Sequence, residues 1–191
     1  MGTSAPRAPL DTAVIASLTS AYWRVSVVDL TTSTQIDLAE LVNSNSAKTG
    51  DVLAAEFQTA GRGRLDRTFE AAPGSALLFS FFIKPKRARS DWGFITHLAA
   101  LSMQEVISQD NPSQVKLKWP NDILFGDFKV AGLLAEKTKS GVIVGVGINV
   151  STTKSQLPVA HATSLFLATN HLIDRNTLLA QILNDLEQDL L

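Results

Sequence analysis

Residues 115–150 read VKLKWPNDILFGDFKVAGLLAEKTKSGVIVGVGINV. Short apolar runs alternate with tight turn signals: Pro-Asn-Asp at 120–122, Gly126-Asp127, and Lys139-Ser140-Gly141. Turns this short join neighbouring strands that run in opposite directions, so this stretch of the chain predicts an antiparallel meander. Upstream, DVLAAEFQ (51–58) and WRVSVVDL (23–30) read as strands, and ALLFSFFI (76–83) is apolar on both faces, as a central, covered strand would be. Helical spacing appears at 10–22, with Asp11 near its start, and at 35–43 behind Ser33 or Thr34 as cap. It appears again over 90–109 and in the leucine stripe of 175–190. Helices and meandering strands in separate blocks predict an α+β fold, a mixed, largely antiparallel sheet with helices against one face. Residues 1–9 read as a disordered tail and 151–163 as an exposed loop.

Composition narrows the chemistry. With 191 residues and 45% hydrophobic side chains, the chain has the length and composition to bury a core. The formal net charge of −1 offers no global field for nucleic acid or acidic membranes, so any anion must be held locally. The absence of cysteine removes disulfides, thiolate nucleophiles and Cys-based zinc sites. His97, His161 and His171 lack metal-ligand spacing. No signal-peptide pattern is visible and the longest apolar run is too short to span a bilayer, which predicts a cytoplasmic protein.

Against that neutral background FQTAGRGRLDR (57–67) stands out. Arg62, Arg64 and Arg67, less Asp66, leave the loop about +2 by simple count, and arginine forks suit phosphate. Gly61 and Gly63 predict backbone freedom and close approach of amides to a ligand. Three further patches are unusual: TSTQ (32–35), KWPND (118–122) with KVAGLLAE (129–136), and GVGIN (145–149). Lys129, beside small Ala131 and Gly132, either snorkels to the surface or points into a cleft. Gly145 and Gly147 leave a strand face bare, as a flat ligand on a sheet would need, or mark a bulge or a close helix contact. There is no Walker A loop and no completed G-x-G-x-x-G.

In order and combination, AEFQTAGRGR, KWPND, the K-x-x-G-x-L-x-E of 129–136 and the G-x-G-I-N of 145–149 resemble the catalytic core of biotin protein ligases, the biotin–[acetyl-CoA-carboxylase] ligases. The resemblance runs from about residue 25 to the end. It implies a class II synthetase-like fold and a two-step reaction. Biotin and MgATP give biotinyl-5′-AMP and pyrophosphate, and a lysine of a biotin carboxyl carrier domain then takes the biotinyl group. By resemblance, Ser33, Thr34 and Gln58 contact the ureido ring, with Gln35, Gly61, Gly63 and Gly132 in the same biotin-binding group. Arg62 and Arg64 lie in a loop closing over biotin and the adenylate. Lys129 touches the biotin carboxylate and the phosphate, so that Lys129 and Arg64 are the catalytic pair. Arg67, Phe69, Asn121, Asp122 and Asn149 match positions near the nucleotide, Asp122 being the candidate beside Mg2+.

The sequence departs from the family pattern at Gln35, where asparagine is usual, at Leu65-Asp66, and at Phe69, where tryptophan is common. The resemblance sets residues 1–24 apart as a tail and short helix and gives 25–191 to the catalytic domain. It leaves too little chain in front for a winged helix, ends before the usual small C-terminal β-barrel, and leaves a homodimer open. Two other readings remain: a lipoate ligase or octanoyl transferase of shared architecture, and a non-catalytic biotin-binding module.

Overall fold

The computed structural model describes residues 7–65, 67–109 and 113–190. Seven strands form one sheet: β1 (Arg24–Thr31), β2 (Asp51–Gln58), β3 (Ala76–Ile83), β4 (Val115–Lys118), β5 (Asp122–Phe125), β6 (Phe128–Lys137) and β7 (Val142–Asn149). Their spatial order is β1-β2-β3-β7-β6-β5-β4. Only β1 and β2 run parallel; the remaining neighbours are antiparallel. The meander from 115 onward forms as its turns predict. Phe125 pairs with Phe128 across Gly126-Asp127, and Gly126 takes a φ of 61° that favours glycine. β7 does not stop beside β6: it inserts between β6 and β3, and both β3 and β7 are buried along their whole length.

The period-2 alternation of β3 distributes its side chains to two layers. Leu77, Phe79, Phe81 and Ile83 face the main core, with Ile95 and Met103 of α3 (Ile95–Ser108) and Ile182 and Leu183 of α5 (Arg175–Leu190). Burying each such large apolar side chain contributes roughly 1.5–3 kcal/mol. Phe82 faces the opposite side, where Leu38 and Val42 of α2 (Thr34–Asn43) cover it together with Ile143. The expectation of helices on one face is therefore corrected. α2 occupies the second face because its own apolar stripe is matched by Phe82 and Ile143, and it covers only part of that face.

Several elements differ from the sequence-based reading. The first helix, α1 (Thr12–Leu18), is shorter than expected, and Asp11 caps it by accepting from the amides of Ala13 and Val14. Its Ile15 and the neighbouring Leu10 and Trp23 belong to the main core. The helix expected over 90–109 begins as a 3₁₀ segment, Arg89–Phe94. A short α4 (Leu165–Thr169) follows the 151–163 segment.

That segment is less exposed than expected. Thr152 is buried, and Lys129 exchanges backbone hydrogen bonds with His161 and Thr163. The tail is pinned from Arg7 onward. The Arg7 guanidinium donates to the Ser151 hydroxyl and carbonyl and to Gln156, and the Leu10 amide donates to Glu56. Burial and the charge of Arg175 lower the Arg7 pKa from its ordinary value. Residues 1–6 of the expected tail, Asp66 and Leu191 lie outside the described residues. No helix among the described residues is long and apolar enough to cross a membrane.

Candidate functional site

The part of the second face that α2 leaves uncovered is a cavity of about 340 Å³. That is within the usual range for small-molecule sites. Its floor is Leu78 and Ser80 of β3 with Gly145 and Gly147 of β7. One wall is the start of α2, residues 33–35, and Gln58 at the end of β2. The opposite wall is the β4–β5 turn with Lys129, Gly132, Leu133 and Leu134 of β6. The loop after β2 roofs the space with Arg62, Gly63, Arg64, Arg67, Thr68 and Phe69.

Most residues singled out from the sequence meet here: Ser33, Thr34, Gln35, Gln58, Arg62, Gly63, Arg64, Arg67, Phe69, Asn121, Asp122, Lys129 and Gly132 all line the cavity. Gly61 and Asn149 do not. Asn149 lies at the far end of β7, where Nδ2 donates to the Thr163 carbonyl and Oδ1 is buried without a partner. Sequence reasoning passed over Ser80, although it is the one polar residue in the apolar strand ALLFSFFI and that break in pattern was visible. Lys118 and Trp119 also line the cavity, and Trp119 is 80% exposed at its mouth.

The neutral polar wall is tightly wired. Gln58 Oε1 accepts from the Thr34 amide at 2.8 Å and from the Thr34 hydroxyl at 3.0 Å. Thr34 Oγ1 lies 2.8 Å from Ser80 Oγ. Ser33 stands at the N-cap of α2 but makes no cap bond with its side chain. That hydroxyl, on a residue 1% exposed, remains available to a ligand. Gln35 Nε2 donates to the Leu134 carbonyl at 3.3 Å.

Opposite it, the cavity is cationic. Among the described residues, Arg62, Arg64, Arg67, Lys118 and Lys129 line it against a single lining carboxylate, Asp122. Lys129 Nζ sits 2.7 Å from Asp122 Oδ1. Arg64 donates to Asn121 Oδ1 at 3.3 Å, and Asn121 Nδ2 donates to the Leu133 carbonyl at 2.8 Å, which ties the turn to β6. Arg62 forms a two-pronged ion pair with Glu136, at 2.6 and 3.1 Å. Such an excess of positive charge over a small area suits an anionic ligand.

Two glycine expectations are corrected. Neither Gly61 nor Gly63 has positive φ; Leu65, at +56°, takes the left-handed turn. Gly61 is needed for space, since a Cβ there would collide with the Phe69 carbonyl and crowd the Gln58 amide. The arms of the loop are also paired, Gly63 to Arg67 at 2.7 Å and Phe69 to Gly61 at 2.8 Å. For Gly145 and Gly147 the bare-face reading does not hold, whereas the close helix contact does at Gly145, because Gln35 belongs to α2. The Gln35 amide sits over Gly145, and a Cβ on Gly147 would lie 2.7 Å from Phe69 Cζ. The two glycines admit the chain's own side chains to the floor.

A family model described as the biotin/lipoate A/B protein ligase family matches residues 27–152, which include every described residue lining this cavity. The chain belongs to that family. Among curated family members, a biotin–[acetyl-CoA-carboxylase] ligase of Mycobacterium tuberculosis is 35% identical over 86% of this chain and 64% of its own length. The bifunctional ligase/repressor BirA of Bacillus subtilis is 35% identical over 81% of this chain and 50% of its own. The chain thus spans about half to two thirds of these relatives. A solved biotin protein ligase of Aquifex aeolicus, in complex with biotin and ATP, superposes with a TM-score of 0.76. It is 32% identical, and the match covers 87% of this chain and 69% of that one. The family's mixed sheet with helices is the fold described above.

Proposed function

We propose that this protein is an ATP-dependent biotin protein ligase that makes biotinyl-5′-AMP and passes the biotinyl group to a lysine of a biotin carboxyl carrier domain. The observation that carries this reading is the two-sided chemistry of the cavity. Neutral hydrogen-bonding groups, Ser33, Thr34 and Gln58, line one wall, and among the described residues five cations with one carboxylate line the rest. A polar bicyclic head bearing a carboxylate tail, joined to a nucleotide, matches both. The named activities of the 35% identical relatives support the same assignment. A lipoyl group offers no urea to the neutral wall, which favours biotin.

In the first step a biotin carboxylate oxygen attacks the α-phosphorus of ATP, the bond to the β-phosphate oxygen breaks, and pyrophosphate leaves. In the second a carrier lysine amine attacks the biotinyl carbonyl carbon, the acyl–phosphate bond breaks, AMP leaves, and the nitrogen loses a proton. Two anions must first be brought together. Lys129 and Arg64 offset that repulsion and stabilise the charge that grows on the phosphoryl oxygens. Arg62, Gly63 and Phe69 in the roof keep water from the reactive anhydride. Arg67, Phe69, Asn121 and Asp122 are the residues for the nucleotide.

Mg2+ fits as a partner of the triphosphate rather than of a protein cage. It needs only one or two carboxylates beside phosphate oxygens and water, and Asp122 is such a carboxylate. When bound, the ion neutralises phosphate charge. Asn149 belongs to this assignment only through its orphaned Oδ1, a buried acceptor awaiting a donor. With this reading goes a cytoplasmic location, where ATP is at hand.

Biotin-dependent exchange of labelled pyrophosphate into ATP tests the reading, with lipoate in place of biotin as the comparison. Exchange with biotin and none with lipoate is expected. Exchange driven by lipoate alone overturns the substrate, and binding of biotin without exchange leaves a binding module.

A further inference from the structure

Ser80 is fully buried under the neutral wall, in the middle of β3. Its hydroxyl meets the Thr34 hydroxyl at 2.8 Å. Geometry alone allows either oxygen to donate, but the surrounding network decides. Thr34's backbone N–H can only donate, so the Gln58 atom it meets at 2.8 Å must be the amide oxygen. That oxygen carries no hydrogen. The 3.0 Å contact between it and Thr34 Oγ1 is therefore a bond only if Thr34 gives its single hydroxyl proton to Gln58. Thr34 has then no proton left for Ser80, and Ser80 must be the donor. The chain runs in one direction, Ser80 to Thr34 to Gln58, and leaves the Gln58 NH2 as a pair of donors at the cavity wall.

From this order we infer that Ser80 is a positioning residue for recognition of the ligand's polar head. Lying at 0% exposure in the floor, it meets the Thr34 hydroxyl, and through Thr34 it fixes the direction in which the wall donates and accepts. A head with a urea carbonyl and flanking N–H groups can be matched by such a wall; a cyclic disulfide cannot. Sites built to hydrogen-bond a polar group reject analogues that lack it, because their own groups are then left unpaired. The inference rests on the biotin ligase reading and deepens it.

The test is pyrophosphate exchange with Ser80→Ala, Thr34→Val and the double variant, with biotin and ATP varied separately. Removing one buried donor is expected to raise KM for biotin about 3- to 10-fold. KM for ATP and kcat at saturating biotin should stay within about two-fold, the scatter of independent substitutions. Because Ser80 acts through Thr34, Ser80→Ala should add nothing further in the Thr34→Val background. Ser80→Cys keeps the shape and weakens the donor; it should give a smaller rise, and it supplies the measurement if Ser80→Ala folds poorly. An unchanged biotin KM, a parallel rise for ATP, or the full rise recurring on top of Thr34→Val each overturns the inference. Calorimetry of the wild-type protein with biotin separates the two levels. If biotin binds without exchange, ligase function fails and the same comparisons are read on Kd; if it does not bind, both readings fall.

Discussion

Two clusters of positive side chains organise this molecule, and they differ in what surrounds them. In the cavity, Arg62 and Lys129 pair with Glu136 and Asp122, and all four side chains keep a quarter or more of their surface in water. At the far side of the sheet Arg175, 4% exposed, pairs with Glu56 at 2.8 Å. It also donates to the carbonyls of Ala8 and Ala76, while Arg7 grips Ser151 and Gln156 nearby. The first set can exchange its carboxylates for a ligand's phosphates at little cost, because solvent already screens the pairs. The second cannot be opened without stranding a buried charge. One cluster is built to be rearranged, the other to hold residues 7–10 against the body of the fold.

The sharpest break in that comparison is Arg175→Met. It is expected to lower unfolding free energy by about 3–5 kcal/mol, the usual effect of removing one partner of a buried pair. Urea titration measures it, and the protein that stays folded should keep its biotin KM. Lys129→Met should do the reverse. Adenylation is expected to fall about 10²–10³-fold, while stability moves by less than about 1 kcal/mol. Equal effects of the two substitutions on stability would erase the distinction between the clusters.

A smaller effect is expected at the roof. Glu136→Gln releases Arg62, and trypsin should cut after Arg62 a few-fold faster, about what an exposed pair worth up to 1 kcal/mol can hold back. Biotinyl-AMP should slow that cut in both forms. A cleavage rate indifferent to Glu136 and to the adenylate would make the roof a fixed turn.

The smallest effect lies outside both clusters. Burial, with Glu105 and Asp189 nearby, pushes the Asp185 carboxyl above its ordinary value. A raised folded pKa means the unfolded chain ionises first. The cost is therefore absent at pH below the ordinary carboxylate range and grows as pH rises through the folded value. Asp185→Asn should match wild type in acid and melt slightly higher near neutrality, seen in Tm against pH.

The same contrast explains what could be read from the sequence. The strands from 115 onward, the central strand 76–83 and thirteen cavity residues were legible because each is signalled locally, by turns, alternation or a cluster of unusual residue types. Arg175 was not, because nothing in RNTLLAQ marks it; only Glu56 and Arg7, more than a hundred positions away, make it special. The second-face position of α2 depends on Phe82 and Ile143, and the ordering of Arg7 depends on Ser151, so both were invisible for the same reason. Gly145 and Gly147 were noticed, but which of their readings applies was not legible. A bare strand face in sequence does not reveal which side chain from elsewhere, Gln35 or Phe69, will cover it.

The position of β7 also bears on how the molecule is assembled during synthesis. The strands emerge from the ribosome in numerical order, yet the last one sits in the middle. Until residue 149 is available, β1, β2 and β3 can form one three-stranded leaf and β4, β5 and β6 another, with no strand pairing between the leaves. Each leaf carries one wall of the cavity, and the glycine part of the floor exists on neither. When β7 joins them, the sheet is completed and the two walls are brought face to face in one event, so the ability to bind ligand arrives together with the fold rather than ahead of it.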